Sequence, residues 1–294
     1  WDPRHRAVRT VLALSGWTAG SVLANQVSFY VVQLLAGARG GDVTAFNYAY
    51  QFFQLPYAIF AVSIASVISP DLAERWSAGA MRAYRARLGS GIRLTLAILV
   101  PAGAGYAVIA GPLLHLALDH GRVSGPEAHL TAVLLAIFAL GLPGFSVYLL
   151  LMRAYQSMKD TRAMFWRYCA ENALTLVAAA ALYPALGVRG LALGWIGAYS
   201  VVAVTAFAQV ARRTGGLQGE ALRATAWRVA VASAAMVAAL EGLGAVLPGS
   251  AGVAVTVVKV CLLAVVGTAV YVLVALWLGV AEVRRVLLVR WSGR

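Results

Sequence analysis

The side chains best suited to chemistry in this sequence are amides and hydroxyls set into apolar surroundings. Thr18, Ser21, Asn25 and Ser28 recur at spacings of three, four and three, which places them within roughly an 80° arc of a helix. Gln26 and Gln33 widen that polar arc. Asn47, Gln51 and Gln54 repeat the pattern at i, i+4 and i+7, just before Pro56. Amides facing hydrocarbon are costly, so these faces must meet protein or water. Interhelical hydrogen bonding and the lining of a substrate cavity both satisfy that demand. The proline beside the second set favours a cavity there. Further along, Glu171 and Asn172 fall well inside an apolar run, and an intramembrane carboxylate suits proton or cation coupling. Arg167, four residues earlier on the same face, offers the alternative of a local ion pair that snorkels to the interface. Glu241 falls near the end of a later run, where it reaches water, and Lys259 either snorkels or faces a groove. The segment from Arg153 through Lys159 and Asp160 to Arg162 is a basic helix end. It could meet a phosphate, although its place in the charge distribution explains it equally well.

None of these groups makes a catalytic or metal centre. Enzymes acting on polyprenyl phosphates need clustered Asp and Glu to hold magnesium, and no pair of acids stands inside an apolar run. Cys169 and Cys261 are isolated, and His5, His115, His120 and His129 are scattered, so no metal motif or disulfide framework arises. The expectation is a protein that binds and moves something, with no catalytic residue, no metal and no cofactor.

The elements that position these side chains are membrane helices. Hydrophobic residues make up 61% of the 294 and charged residues 12%, about half the charged share of a soluble domain. Eight apolar runs, near 10–37, 46–70, 92–118, 127–152, 163–183, 190–211, 228–247 and 251–279, are long enough to cross a hydrocarbon core of roughly 30 Å as helix. They lack the alternation of barrel strands. The fold class is therefore all-α, a polytopic bundle of about eight spanning helices. Nineteen of the 24 Lys and Arg fall in segments 1–9, 71–93, 153–167, 212–223 and 284–294, against Arg39, Arg122 and Arg189 on the other side. This places both termini in the cytoplasm. The net charge of +13 thus reports topology and contact with anionic membrane lipids, and nothing in it requires nucleic acid.

Most connections are short. Residues 71–91 interleave Arg75, Arg82, Arg85 and Arg87 with Trp76, Ala80, Tyr84 and Leu88, a four-residue recurrence that predicts an interfacial helix with a basic face, a solvated basic loop being the alternative. Pro56, Pro101 and Pro143 should bend their spans. The second and fourth runs share a Leu-Pro (Leu55-Pro56, Leu142-Pro143) ahead of a basic loop, a weak internal repeat. The chain opens at Trp1, as expected of a piece of a longer protein.

Tyr48-Ala-Tyr-Gln-Phe-Phe-Gln-Leu-Pro-Tyr-Ala-Ile-Phe60, continuing to Ile68-Ser-Pro-Asp71, resembles the signature of the MurJ/MviN family. The first helix, with Asn25-Gln26 and a Leu-Ala at its end, resembles the helix before that signature. Arg153-Ala-Tyr155 with Lys159-Asp-Thr161 resembles the family's Arg-x-x-Tyr and Asp-Thr segment, and Gly187-Val-Arg-Gly-Leu-Ala-Leu193 its Gly-x-x-Gly-Leu-Ala. In order and spacing the resemblance spans about residues 8–212.

That resemblance implies a flippase that carries lipid II, the undecaprenyl-diphosphate-linked peptidoglycan precursor, from the cytoplasmic to the outer leaflet of the bacterial plasma membrane. Members have fourteen helices, two six-helix lobes and an extra pair. Residues 1–215 would be the second lobe and 216–294 the extra pair with a cytoplasmic tail, the partner being an N-terminal six-helix lobe of the same protein. The cavity would draw on Asn25, Gln26, Gln33, Asn47, Gln51 and Gln54, its cytoplasmic mouth on Arg153, Lys159 and Asp160, and coupling or an ion pair on Glu171, Asn172 and Arg167. Some members carry an Arg and a Glu where Gln51 and Gln54 stand here, and a Gln offers a diphosphate only neutral hydrogen bonds. The alternatives are an exporter of another lipid-linked glycan or of drugs, and a non-transporting scaffold that recruits cell-wall synthesis proteins through its basic loops.

Overall fold

A computed structural model describes residues 6–38, 42–118, 125–247 and 252–289, and all of its regular elements are helical. Arg4, His5, Arg39, His120, Arg122, Arg290 and Arg294 lie outside the described residues. Among those described, eight helical rods are long and apolar enough to cross a membrane, the number read from the apolar runs. In chain order the helices are α1 (Arg6–Gly37), α2 (Asp42–Pro56), α3 (Ser63–Ser77), α4 (Met81–Leu118), α5 (Gly125–Ser157), α6 (Thr161–Leu186), α7 (Val188–Thr214), α8 (Gly219–Val246), α9 (Val253–Trp277) and the short α10 (Ala281–Val289). A π-helical stretch, Tyr57–Val62, joins α2 to α3, so the two form one continuous rod.

The prolines explain much of how the rods lock together. Pro56 has no N–H to give to the carbonyl of Phe52, four residues back. That carbonyl instead accepts the Tyr106 hydroxyl of α4 at 3.0 Å, and the chain relaxes into the wider π turn after it. Pro101 likewise frees the Ala97 carbonyl, which accepts the Tyr271 hydroxyl of α9 at 2.5 Å. Pro143 frees the Ala139 carbonyl, and Gly103 of α4 comes against it so closely that a Cβ there would collide with the oxygen. In each case a backbone group that lipid could not satisfy meets a neighbouring helix.

The region 71–91 departs from the sequence expectation. It is no separate interfacial helix but the end of α3, a tight turn at 78–80 and the start of α4. Gly79, at φ +67°, breaks the helix in the left-handed region that glycine tolerates. Trp76 and Tyr84 then face each other across the turn with ring centroids 5.5 Å apart. Tyr84 and Leu88 are fully buried, so the four-residue recurrence marks two antiparallel helix ends packing on the bundle. The helices also run further past the membrane-length windows than the apolar runs suggested, since α3, α4 and α5 carry their helical hydrogen bonding into the basic segments.

Three buried clusters hold the bundle. One gathers α3, α4, α5 and α7 near the turns at 78–80 and 158–160, around Leu72, Tyr84, Leu151 and Tyr155. A second joins α1, α2, α4, α5 and α7 toward the opposite end, around Phe46, Phe53, Phe138 and Leu191. The third seats α8, α9 and α10 on α4 through Ala97, Val229, Met236, Leu263 and Tyr271. A buried ion pair reinforces this last attachment, Arg93 Nε to Glu282 Oε1 at 2.7 Å, with the Arg93 Nη1 donating to Gln218 at 3.0 Å.

Candidate functional site

The polar arc of α1 faces α6 and α7. Ser21 and Ser28 are buried, Ser21 donating to the Trp17 carbonyl at 3.0 Å. Asn25, Gln26 and Ser28 open onto a cavity of about 200 Å³. Phe46 and Tyr50 of α2, Asn172 of α6, and Trp195 and Tyr199 of α7 complete the lining. The buried Asn172 amide donates to the Tyr168 carbonyl at 2.8 Å, which leaves its oxygen to a guest. The cavity is thus lined by amides and aromatic rings together. The lining rings Tyr50 and Trp195 meet edge to face at 5.7 Å, and each packs edge to face on the fully buried Phe138 behind them, at 5.9 and 5.5 Å. Such a lining offers neutral hydrogen bonds and aromatic faces, suited to orienting polar, uncharged groups such as sugars.

Gln33 and Asn47 do something different. Their amides bond reciprocally, Gln33 Nε2 to Asn47 Oδ1 at 2.6 Å and Asn47 Nδ2 to Gln33 Oε1 at 3.2 Å, tying α1 to α2. Gln51 and Gln54 are exposed on the outside of α2 beside the exposed Leu55 and Ile59. The three-amide face of α2 is therefore divided between a helix–helix clasp and an open surface.

Glu171 lies behind the cavity wall, 1% exposed. Its Oε1 accepts the Thr175 hydroxyl at 3.0 Å, and its Oε2 has no hydrogen-bond partner among the described residues. Of the two roles the sequence left open, the structure shows no ion pair between Glu171 and Arg167 among the described residues. Arg167 turns to α7, donating to Gln209 Oε1 at 2.7 Å and Thr205 Oγ1 at 3.0 Å. Gln209 and Thr205 on α7 lie beside the half-buried Arg167, whereas Glu171 is buried one turn deeper on α6.

The basic segment also splits. Arg153 donates to Gln156 at 2.9 Å on its own helix. Lys159, at φ +57°, forms the corner between α5 and α6 and is exposed. Asp160 caps α6, accepting the Ala163 amide at 3.0 Å, and pairs with Arg213 of α7. Partial burial pushes the Asp160 carboxyl up, but the Arg213 hydrogen bond, the Ala163 amide and the charges of Arg213 and Arg162 outweigh it, so its pKa sits below the ordinary value of 3.8. Asp160 lines a second cavity, of about 400 Å³, with Arg162, Trp166, Arg167, Gln209 and Arg213. A third, of about 410 Å³, is almost wholly apolar and lies between α4, α8, α9 and α10.

Sequence reasoning missed the aromatic lining and the α7 contribution. Trp195 and Tyr199 stand at i and i+4 inside an apolar run, a spacing that packing alone produces as often as a binding surface does. The Gly187…Gly190 pair is explained by the turn. Gly187 is the sole link between α6 and α7, at φ +58°. A Cβ on Gly190 would sit 2.6 Å from the Leu182 carbonyl oxygen, so the two helices approach there as only glycine permits.

The geometry has clear counterparts among known proteins. The chain is 27% identical over 276 residues to a probable lipid II flippase MurJ of Rhizobium meliloti, covering 92% of this chain and 51% of that one. It is 32% identical over 146 residues to a probable lipid II flippase MurJ of Borreliella burgdorferi, half of this chain and 28% of that one. Its fold matches a solved lipid II flippase MurJ in an inward closed conformation with a TM-score of 0.72 at 18% identity, over 87% of this chain and 51% of that one. A MOP superfamily transporter from Pyrococcus furiosus matches at 0.57 and 13% identity, over 94% of this chain and 65% of that one. The chain spans about half the length of the Rhizobium meliloti relative. A family model described as lipid II flippase MurJ matches residues 1–283. With eight helices among the described residues long and apolar enough to cross a membrane, this is a multi-pass protein of the bacterial inner membrane, and the chain belongs to the lipid II flippase MurJ family.

Proposed function

We propose that this chain supplies half of a transporter that carries lipid-linked peptidoglycan precursor from the cytoplasmic to the outer leaflet. The observation that carries the reading is the family match over residues 1–283; the amide-and-aromatic cavity between α1, α2, α6 and α7 supports it. In this reading residues 1–215 are the second of two lobes, and 216–294 are an added helix pair. The lobes rock about a shared cavity by alternating access. Asn25, Gln26 and Asn172 orient the uncharged part of the headgroup, and the apolar cavity against α8 and α9 receives lipid tail. Gln51 and Gln54, exposed on α2, face the other lobe. The diphosphate is left to cationic groups there or to Arg153 and Lys159. No covalent step is needed, because translocation makes and breaks only hydrogen bonds and apolar contacts. Undecaprenyl-linked precursor and the N-terminal lobe are the partners this requires.

Depletion of the full-length protein in its own host tests the reading. Lipid II should accumulate in the inner leaflet and wall growth should stop. An unchanged lipid II distribution with intact wall synthesis would overturn it, and resistance to lipophilic cations would then be measured to test the drug-exporter alternative.

A further inference from the structure

The second cavity, between the start of α6 and the end of α7, has no part in the translocation path just described. Three arginines converge on it. Arg167 is held by Gln209 and Thr205, both neutral, Arg213 is paired with Asp160, and Arg162 is exposed and donates no hydrogen bond among the described residues. One carboxylate against three guanidinium groups leaves a net charge of about +2 within a single concavity. Trp166, 57% exposed, stands at its rim, where an indole prefers the level of lipid headgroups.

The surface below the cavity is as informative as its charge. Along α6 the exposed positions between Trp166 and Ala180 are Ala170, Ala173 and Val177, and along α7, running inward from the exposed Thr205, they are Val204, Val201, Gly197 and Leu193. Below Thr205, which is itself bonded to Arg167, two antiparallel apolar strips therefore run side by side into the membrane from a cationic rim. The open space beside Gly197 deepens the seam between them.

We infer that this seam is a binding site for an anionic glycerophospholipid, its phosphate on Arg162, Arg167 and Arg213 and its acyl chains along α6 and α7. Charge complementarity selects the headgroup, since guanidinium forks match phosphate oxygens, and the apolar strips select a ligand that carries hydrocarbon. Asp160 opposes an incoming anion, but it is committed to Arg213 and to the cap of α6. Occupancy would brace α6 against α7 and so steady Asn172 and Tyr199, which project from these helices into the central cavity. The site stands independently of what the protein transports.

The test uses the full-length protein in nanodiscs containing phosphatidylglycerol or phosphatidylcholine, each with a photoactivatable group on the acyl chain, and maps adducts by peptide mass spectrometry. Adducts on residues 166–177 and 193–204 should be enriched with phosphatidylglycerol. Arg162→Gln should lower them about fivefold, and Arg162→Glu further, while Arg82→Glu, at an exposed site elsewhere on the same basic rim, should leave them unchanged. Because Arg162 is exposed, these variants fold. Equal labelling by the two lipids, or labelling indifferent to Arg162→Glu, overturns the inference. So does displacement of phosphatidylglycerol by millimolar inorganic phosphate, which would make the cavity a site for soluble anions.

Discussion

At the residue scale, the polar side chains of this bundle divide by whether the fold completes their hydrogen bonding. Gln33 and Asn47 satisfy each other, so a double-mutant cycle to Ala should give a coupling of about 0.6–1.7 kcal/mol, read from unfolding of the full-length protein in detergent. A coupling near zero would mean that the amides serve a guest in place of each other. Glu171 is the opposite case, its Oε2 having no hydrogen-bond partner among the described residues. We propose it as the coupling group. Complementation should fail with Glu171→Gln while the protein still accumulates in the membrane, because Gln keeps the shape and the Thr175 contact but cannot exchange a proton. Retained complementation would assign Glu171 a packing role. Asp160 titrates at the bundle surface. Its folded pKa lies below 3.8, so the stability it lends to α6 is present above the unfolded value and lost as pH falls through the folded one. Its contribution to stability should therefore be level from neutral pH down to about 4 and fall below that, and Asp160→Asn should flatten the acid limb. An unaltered acid limb would locate the titration elsewhere.

The elements are shaped by how each helix disposes of the backbone groups its prolines release. Pro101 makes the Ala97 carbonyl depend on Tyr271, which ties α9 to α4. Tyr271→Phe should cost about 1 kcal/mol, and much less in a Pro101→Ala background, where residue 101 can again donate to Ala97. Equal costs in both backgrounds would show that the hydroxyl contributes nothing through that carbonyl. The same accounting explains why α2 and α3 read as one span in sequence yet are joined by a π turn. Pro56 releases the Phe52 carbonyl, and Tyr106 satisfies it by donating its hydroxyl to it.

At the scale of the whole molecule, the basic residues gather at the end of the bundle that holds the turns 78–80 and 158–160, and the proposal that this end is cytoplasmic follows from the charge. With Cys169 and Cys261 replaced, cysteines at Gly40, Val123 and Gly249 should react with an impermeant external thiol reagent, and cysteines at Ala86, Lys159 and Gly216 should not. Lys159 is the informative choice in the α5–α6 turn, because Met158 beside it is buried. The reverse labelling would invert the topology. Placement of α8 and α9 also belongs to this scale. They meet the rest of the molecule through α4 and the Arg93–Glu282 pair, which is consistent with an added pair beside a six-helix lobe.

How much of this could be read from the residues alone depends on the range of the interaction. Eight spans were legible because crossing hydrocarbon requires about 20 apolar residues in succession, a local property. The side of the Asn25–Gln26 arc was legible because helical periodicity is local too. The Gly187…Gly190 link was visible as a pattern, although its cause, a helix approach of backbone against backbone, was not. What meets each face was decided only by the tertiary structure. Arg167 chose Gln209 over Glu171, Gln33 chose Asn47 over a cavity, and the recurrence in 71–91 became two helix ends in place of one interfacial helix. In each case sequence spacing gave the face and the competing partners, but the winner was set by side chains on a different helix. Gln209 lies 42 residues from Arg167 and Tyr271 lies 174 from Ala97; such pairings are fixed by helix packing, which no periodicity within one segment encodes.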